Sequence, residues 1–128
     1  MRRRPRIAVV DDDRSVRHSI SLILASQGVG AIEFASGFEL FRDDAWREVD
    51  GVVLDMLMPG MSGLEVLRRL RQLDSQLPVI MVTGGDDPEL EAMARCCGVS
   101  DYMLKPFDVA ELLNAVRASV DGRLSVAA

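Results

Sequence analysis

Four short strand-like runs in this chain end on side chains that can do chemistry. Ile7-Ala8-Val9-Val10 leads into Asp11-Asp12-Asp13, Gly51-Val52-Val53-Leu54 into Asp55, Pro78 to Val82 into Thr83, and Asp101 to Leu104 into Lys105-Pro106. Ligands of an open parallel sheet sit outside the carboxyl ends of its strands, at the point where strand order reverses. The residues just past each strand are therefore where function is to be sought. If the first and third strands are neighbours, Asp11, Asp12 and Asp55 meet in one pocket, and like charges a few ångströms apart raise one another's pKa. A divalent cation resolves that conflict, and an oxygen-only ligand set favours magnesium or manganese over zinc or copper. With a cation in place, Asp55 can act as a nucleophile towards phosphorus, because the metal offsets the repulsion between two anions. Lys105 adds a second positive charge. Thr83 supplies a hydroxyl donor, and Gly84 and Gly85 leave room for its loop to close. Together these parts make a site that can accept a phosphoryl group.

Composition points to the same lysine. Of the fifteen basic side chains fourteen are Arg, and Lys105 is the only Lys. A forked guanidinium and a compact ammonium differ in geometry and hydration, so the retained lysine marks a position that needs a point charge.

The elements that must position these residues follow from periodicity. After the first strand, Val16, Ile20, Ile23 and Leu24 recur at helical spacing up to Gly28, with Asp13 as the N-cap. Ala31 to Ala35 is a weaker strand, and Ser36 with Glu39 forms a capping box for a short second helix, on or just after which Trp46 falls, remote from the carboxylates. Ser62 with Glu65 is a second capping box, followed by Leu64, Leu67 and Leu70 on one face. Asp87 and Pro88 open a fourth helix with Leu90, Met93, Ala94 and Cys97 as its buried stripe, and Gly98 ends it. Asp108 and Glu111 open a fifth, with Val109, Leu112, Leu113, Val116 and Val120 facing the core. The prediction is an α/β fold: five parallel strands, each followed by a helix, doubly wound with helices on both faces. A chain of 128 residues makes one domain, with its core over 6–120 and a patternless tail over 121–128.

Charge and cysteine content exclude several classes. A net charge of -5 argues against nucleic-acid binding, which needs a basic excess to displace counterions. No apolar stretch reaches the roughly 18 residues that span a bilayer, and the basic start Met1 to Arg6 runs straight into a strand with no leader pattern. Adjacent Cys96 and Cys97 fit neither a disulfide framework nor a zinc site. A soluble, cytoplasmic, reducing setting is expected.

Taken in order, Val9-Val10-Asp11-Asp12-Asp13, Leu54-Asp55-Met56-Leu57-Met58-Pro59-Gly60-Met61-Ser62-Gly63, Val82-Thr83-Gly84 and Leu104-Lys105-Pro106-Phe107 resemble the receiver domain of bacterial two-component response regulators, a CheY-like fold. The likeness covers roughly residues 6 to 120, and several motifs in one order are far more specific than any one alone. The resemblance implies strand order 2-1-3-4-5 and makes Asp55 the phosphoacceptor, with self-catalysed gain and loss of the phosphoryl group rather than turnover as an enzyme. It implies Asp12, Asp55 and the backbone carbonyl of Leu57 as direct Mg2+ or Mn2+ ligands, with Asp11 acting through water. Thr83 and Lys105 would hold the phosphoryl group, Tyr102 would be the switch aromatic, and the Lys105-Pro106 bond would be cis. A sensor histidine kinase would be the donor. An output domain or effector would read the surface of the fourth helix, fifth strand and fifth helix, and homodimerisation on phosphorylation is open to it.

Other readings compete at single positions. Acidic residues after strands commonly cap helices, and Asp13 is read as such a cap. Asp55 follows a fully apolar strand where an unpaired carboxylate would be costly, which favours function. Thr83 and Tyr102 are of types common at strand ends and in half-buried packing, so their roles rest on the resemblance. His18 is read as a solvated surface residue, Cys97 as core and Cys96 as lying near the surface. Among whole functions, a phosphorylation-independent interaction module of the same fold would be favoured had Asp55 or Lys105 been lost. A haloacid-dehalogenase-type phosphatase would want Asp at position 57, and a nucleotide or flavin binder would want Gly, Ser or Thr rather than three carboxylates after the first strand.

Overall fold

Five runs rich in β-branched and apolar residues pair side by side in the computed structural model, which describes the backbone of residues 4–127 and the side chains of residues 4–122. Strands β1 (Arg6–Val10), β2 (Gly30–Phe34), β3 (Gly51–Asp55), β4 (Val79–Thr83) and β5 (Asp101–Leu104) form one parallel sheet in the order β2-β1-β3-β4-β5. The central strands β3 and β4 are buried at every position, as strands covered on both faces must be. The chain winds outwards in both directions from β1, so the order reverses between β1 and β3.

Alternation along the strands sorts the core into two layers. Ile7, Val9, Val53, Ile80 and Val82 face helices α1 (Arg14–Ser26) and α5 (Val109–Ala127), which contribute Ile20, Leu24, Leu112, Val116 and Val120. Ala8, Val10, Val52, Leu54 and Met81 face the other side, covered by α2 (Gly37–Phe41), α3 (Gly63–Leu73) and α4 (Pro88–Cys96) through Leu40, Leu67, Leu70 and Ala94. Burial of each fully enclosed Leu, such as Leu67 or Leu70 at 0% exposure, contributes about 1.5–3 kcal/mol.

Caps set the helix starts. The Asp13 carboxylate accepts from the N–H groups of Ser15 and Val16, Ser62 Oγ from Glu65 N–H, and Asp87 from Glu89 and Leu90, with Pro88 inside the first turn. At α2 the box is shifted: Ser36 Oγ accepts from Glu39 N–H, but Glu39 reaches back to the N–H of Ala35. Trp46 lies buried in a 3-10 segment, Arg42–Glu48, that follows α2 and turns through Asp43 and Asp44 at positive φ.

Several expectations need correction. The stretch over 121–128, expected as a patternless tail, continues α5 to Ala127, since nothing after Val120 is stronger than Gly122 as a breaker and glycine costs a helix only about 1 kcal/mol. The spacing predicts Met93 and Val109 in buried stripes, yet both are more than 40% exposed; Met93 lies at the edge of its helix's apolar arc, whereas Val109 is in line with Leu112, Val116 and Val120 but is the first residue of α5. The fourth strand starts at Val79, one residue after Pro78, and includes Thr83. Met1 to Arg3 of the basic start, and Ala128, lie outside the described residues. No described helix is long and apolar enough to cross a membrane.

Candidate functional site

Register brings the carboxylates together. Val9 lies opposite Val53 and Val10 opposite Leu54, so the next residue of β1's path, Asp11, falls beside Asp55 on the same side of the sheet. One carboxylate oxygen from each of Asp11, Asp12 and Asp55 lies within 4.8 Å of the others. Asp11 and Asp55 are buried, at 1% and 5% exposure, whereas Asp12 opens to solvent.

The pocket's cation is Lys105, which leaves the end of β5 after donating its backbone N–H to the Thr83 carbonyl. Its Nζ lies 3.0 Å from Asp11 Oδ2 and 3.4 Å from Asp55 Oδ1, and the Lys105-Pro106 peptide is cis. Asp11 Oδ1 accepts from Asp13 N–H at 2.9 Å, so both oxygens of Asp11 are engaged. Among the described residues Asp55 receives its contacts on Oδ1, from Lys105 and from the N–H of Leu57.

These contacts do not fully compensate Asp55. Burial first, and the Asp11 carboxylate second, raise its pKa from 3.8 to about 6, against the opposing pull of Lys105 and the Leu57 N–H. Lys105 moves the other way from a neutral tendency: burial alone would lower its pKa, but the Asp11 hydrogen bond and the charges of Asp55 and Asp11 outweigh it and leave the ammonium more firmly protonated. Two buried carboxylates share one lysine, and an excess of negative charge remains. An all-oxygen, carboxylate-rich donor set with one member open to water fits a hard divalent cation of the magnesium or manganese kind.

Thr83 is 1% exposed at the last position of β4, and its Oγ1 accepts from the N–H of Gly85 at 3.2 Å. The hydroxyl hydrogen therefore remains available to a ligand. Tyr102 pairs with Met81 in β5, on the same sheet face as Thr83 by alternation. Its side chain packs against the α3 and α4 layer, and its buried hydroxyl is without a hydrogen-bond partner among the described residues. Burial, then the charges of Glu91, Asp87 and Asp86, raise its pKa. Leu57 projects from the loop after β3, 54% exposed, and its Cδ1 lies 3.5 Å from where a Cβ on Gly85 would stand. His18 is exposed, 3.4 Å from Glu33, and Cys96 is exposed while Cys97 packs against the core.

Two further residues support the site without a role legible in the sequence. Gly63 is pressed against the backbone of Asp55 and Met56, so that a Cβ there would lie 2.6 Å from Met56 Cα. Arg17 donates from Nη1 to the backbone carbonyl of Asp11 at 2.7 Å. Gly63 was visible only as part of a motif, and Arg17 carries no local signal, because its partners come from the β1–β2 pairing.

The family model for the response regulator receiver domain matches residues 7–117. The chain is 37% identical over 115 residues to the response regulator protein TodT of Pseudomonas putida, covering 89% of this chain and 50% of that protein. It is 40% identical over 113 residues to the response regulator MprA of a Mycobacterium species, covering 88% and 49%. The chain thus spans about half the length of the curated relatives it matches. Among solved structures, a CheY-like receiver domain protein from Methanospirillum hungatei superposes with a TM-score of 0.89 at 26% identity, covering 96% of this chain and 98% of that one. The signal receiver domain of an HD domain-containing protein from Pseudomonas fluorescens gives 0.89 at 30% identity, covering 96% and 99%.

Proposed function

The chain belongs to the response regulator receiver domain family, and from that premise we propose that Asp55 accepts a phosphoryl group from a sensor histidine kinase with a bound magnesium or manganese ion. The observation that carries this reading is the meeting of Asp11, Asp12 and Asp55 within 4.8 Å beneath one ammonium, 3.0 Å from Asp11 and 3.4 Å from Asp55. Asp12, Asp55 and the Leu57 carbonyl would hold the cation directly. Asp11, whose oxygens are already engaged by Lys105 and the Asp13 N–H, would hold it through water. When bound, the cation supplies charge neutralisation of the carboxylates and of the incoming phosphoryl oxygens.

Asp55 Oδ2 attacks phosphorus, the new O–P bond forms as the donor's P–N bond breaks, and the leaving imidazole takes its proton from solvent. Lys105 steadies the charge spread over the phosphoryl oxygens. The Thr83 hydroxyl donates to one of them while still accepting from Gly85, which links the ligand to the loop after β4. Tyr102 lies one step along the same face and follows that loop, so the surface of α4, β5 and α5 is where the change would be read by an output domain or effector, or by a second copy of the chain. Such switching is a shift between states already populated. Gain and loss of the group are catalysed by the receiver's own site, which makes the chain a phosphoacceptor in the cytoplasm rather than a turnover enzyme.

The test is incubation with acetyl phosphate, followed by intact mass measurement. With Mg2+ one phosphoryl mass is added, and with EDTA none; labelling indifferent to the cation would overturn the proposal. The rival interaction module lacking phosphorylation would show no mass change under either condition.

A further inference from the structure

We propose that Arg17 is a positioning residue that sets the cation affinity of the carboxylate pocket without touching the cation; the inference rests on the cation-dependent reading given above. Asp11 is the first residue beyond β1. Its N–H makes a last rung to the Phe34 carbonyl of β2, at 3.2 Å, and its own carbonyl is taken by Arg17 Nη1 at 2.7 Å. That carbonyl belongs to the peptide unit joining Asp11 to Asp12. Because a peptide unit is planar, fixing its oxygen fixes the direction in which the chain leaves towards both carboxylates.

Arg17 is itself held from two sides. Its Nε lies 3.3 Å from Glu33 Oε1, on the strand paired with β1, and its backbone carbonyl accepts from Ser21 Oγ at 3.0 Å within α1. The two side chains are 14% and 32% exposed, so the pair is partly withdrawn from water, where charge-assisted bonds are stronger than at an open surface. One guanidinium therefore ties α1, β2 and the loop after β1 at a single point. Only a planar fork with separate N–H directions can serve Glu33 and the Asp11 carbonyl at once; an ammonium at the end of a lysine stem has no such fixed geometry. The neighbouring Asp13 N–H to Asp11 Oδ1 bond sets the carboxylate's rotation but not the orientation of the peptide. Arg17 supplies that constraint.

The test is Mn2+ titration of the metal-free protein, read as loss of the free-ion paramagnetic resonance signal, alongside thermal melting without metal. Arg17→Met keeps the apolar stem and removes both bonds, and its Mn2+ affinity should fall about tenfold or more, the usual cost of losing an outer partner of a metal ligand. Arg17→Lys, which cannot bridge both partners, should weaken binding measurably but by less than the roughly tenfold expected for loss of both bonds, and serves as the probe should the Met variant prove too unstable to titrate. Wild-type affinity in the titrated variants, whatever their melting points, would overturn the inference while leaving the cation site standing. Failure of the wild-type protein to bind Mn2+ would overturn the site itself and this inference with it.

Discussion

Replacing Asp55 by Asn should make the metal-free protein more stable, although the substitution removes the residue on which the function is proposed to depend. The Asp55 carboxyl titrates at about 6 in the fold against 3.8 as a free side chain, through burial and then the Asp11 charge. Between those values the folded state binds the proton more tightly than the unfolded state, so stability falls as pH rises through the window. The favourable contribution of the neutral carboxyl is complete below 3.8 and lost above about 6. At pH 8 the wild-type protein thus carries the whole penalty, with a ceiling of about 3 kcal/mol at 1.36 kcal/mol per pH unit. Water entering beside exposed Asp12 screens part of it, which leaves an expected gain of about 1–2 kcal/mol. Asn mimics the neutral form at every pH. Urea denaturation in EDTA should show Asp55→Asn ahead of wild type at pH 8 and the two converging towards pH 4, and Mg2+ should stabilise the wild type more than the variant. An Asn variant no more stable than wild type at pH 8, or an advantage independent of pH, would refute the electrostatic account of the pocket.

Gly63→Ala places a methyl group against the backbone of Asp55 and Met56; urea denaturation should show a loss of about 1–3 kcal/mol, and wild-type stability would mean the N-terminus of α3 is free to shift. Tyr102→Phe removes a buried hydroxyl that has no hydrogen-bond partner among the described residues, so thermal denaturation should find it neutral or stabilising by up to about 1 kcal/mol. A clear loss there would reveal a partner for the hydroxyl. Lys105→Arg preserves charge but replaces the point contact to Asp11 and Asp55 with a larger fork, and labelling by acetyl phosphate should slow about tenfold or more. An undiminished rate would remove the argument for a compact ammonium.

The parts of this molecule legible in its sequence are those in which one residue's type decides the outcome. Asp13, Ser62 and Asp87 are caps because their oxygens suit free helix N–H groups, and β3 and β4 announce themselves as unbroken apolar runs. The residues at the strand ends were legible for the same reason, since Asp55 after Leu54 has no packing rationale. What escaped depends on contacts between elements. Arg17 matters through Glu33 on a neighbouring strand, Gly63 through its closeness to the backbone of β3's end, Met93 sits at the margin of an apolar arc and Val109 at the first position of its helix, where spacing alone does not tell core from surface. The end of α5 is not legible because a helix without a strong breaker stops where its environment changes, and the mixed, patternless sequence over 121–128 carries no mark of that point.

The most direct measurement is chemical trapping of the phosphorylated side chain. Protein labelled by acetyl phosphate and Mg2+ is reduced with borohydride, which converts an aspartyl phosphate to homoserine, and is then digested and sequenced by tandem mass spectrometry. Homoserine at position 55, and at no other aspartate, is the expected result. Reduction at Asp11, Asp12 or another residue, or none in a sample that carries the phosphoryl mass, would contradict the assignment of Asp55 as the acceptor.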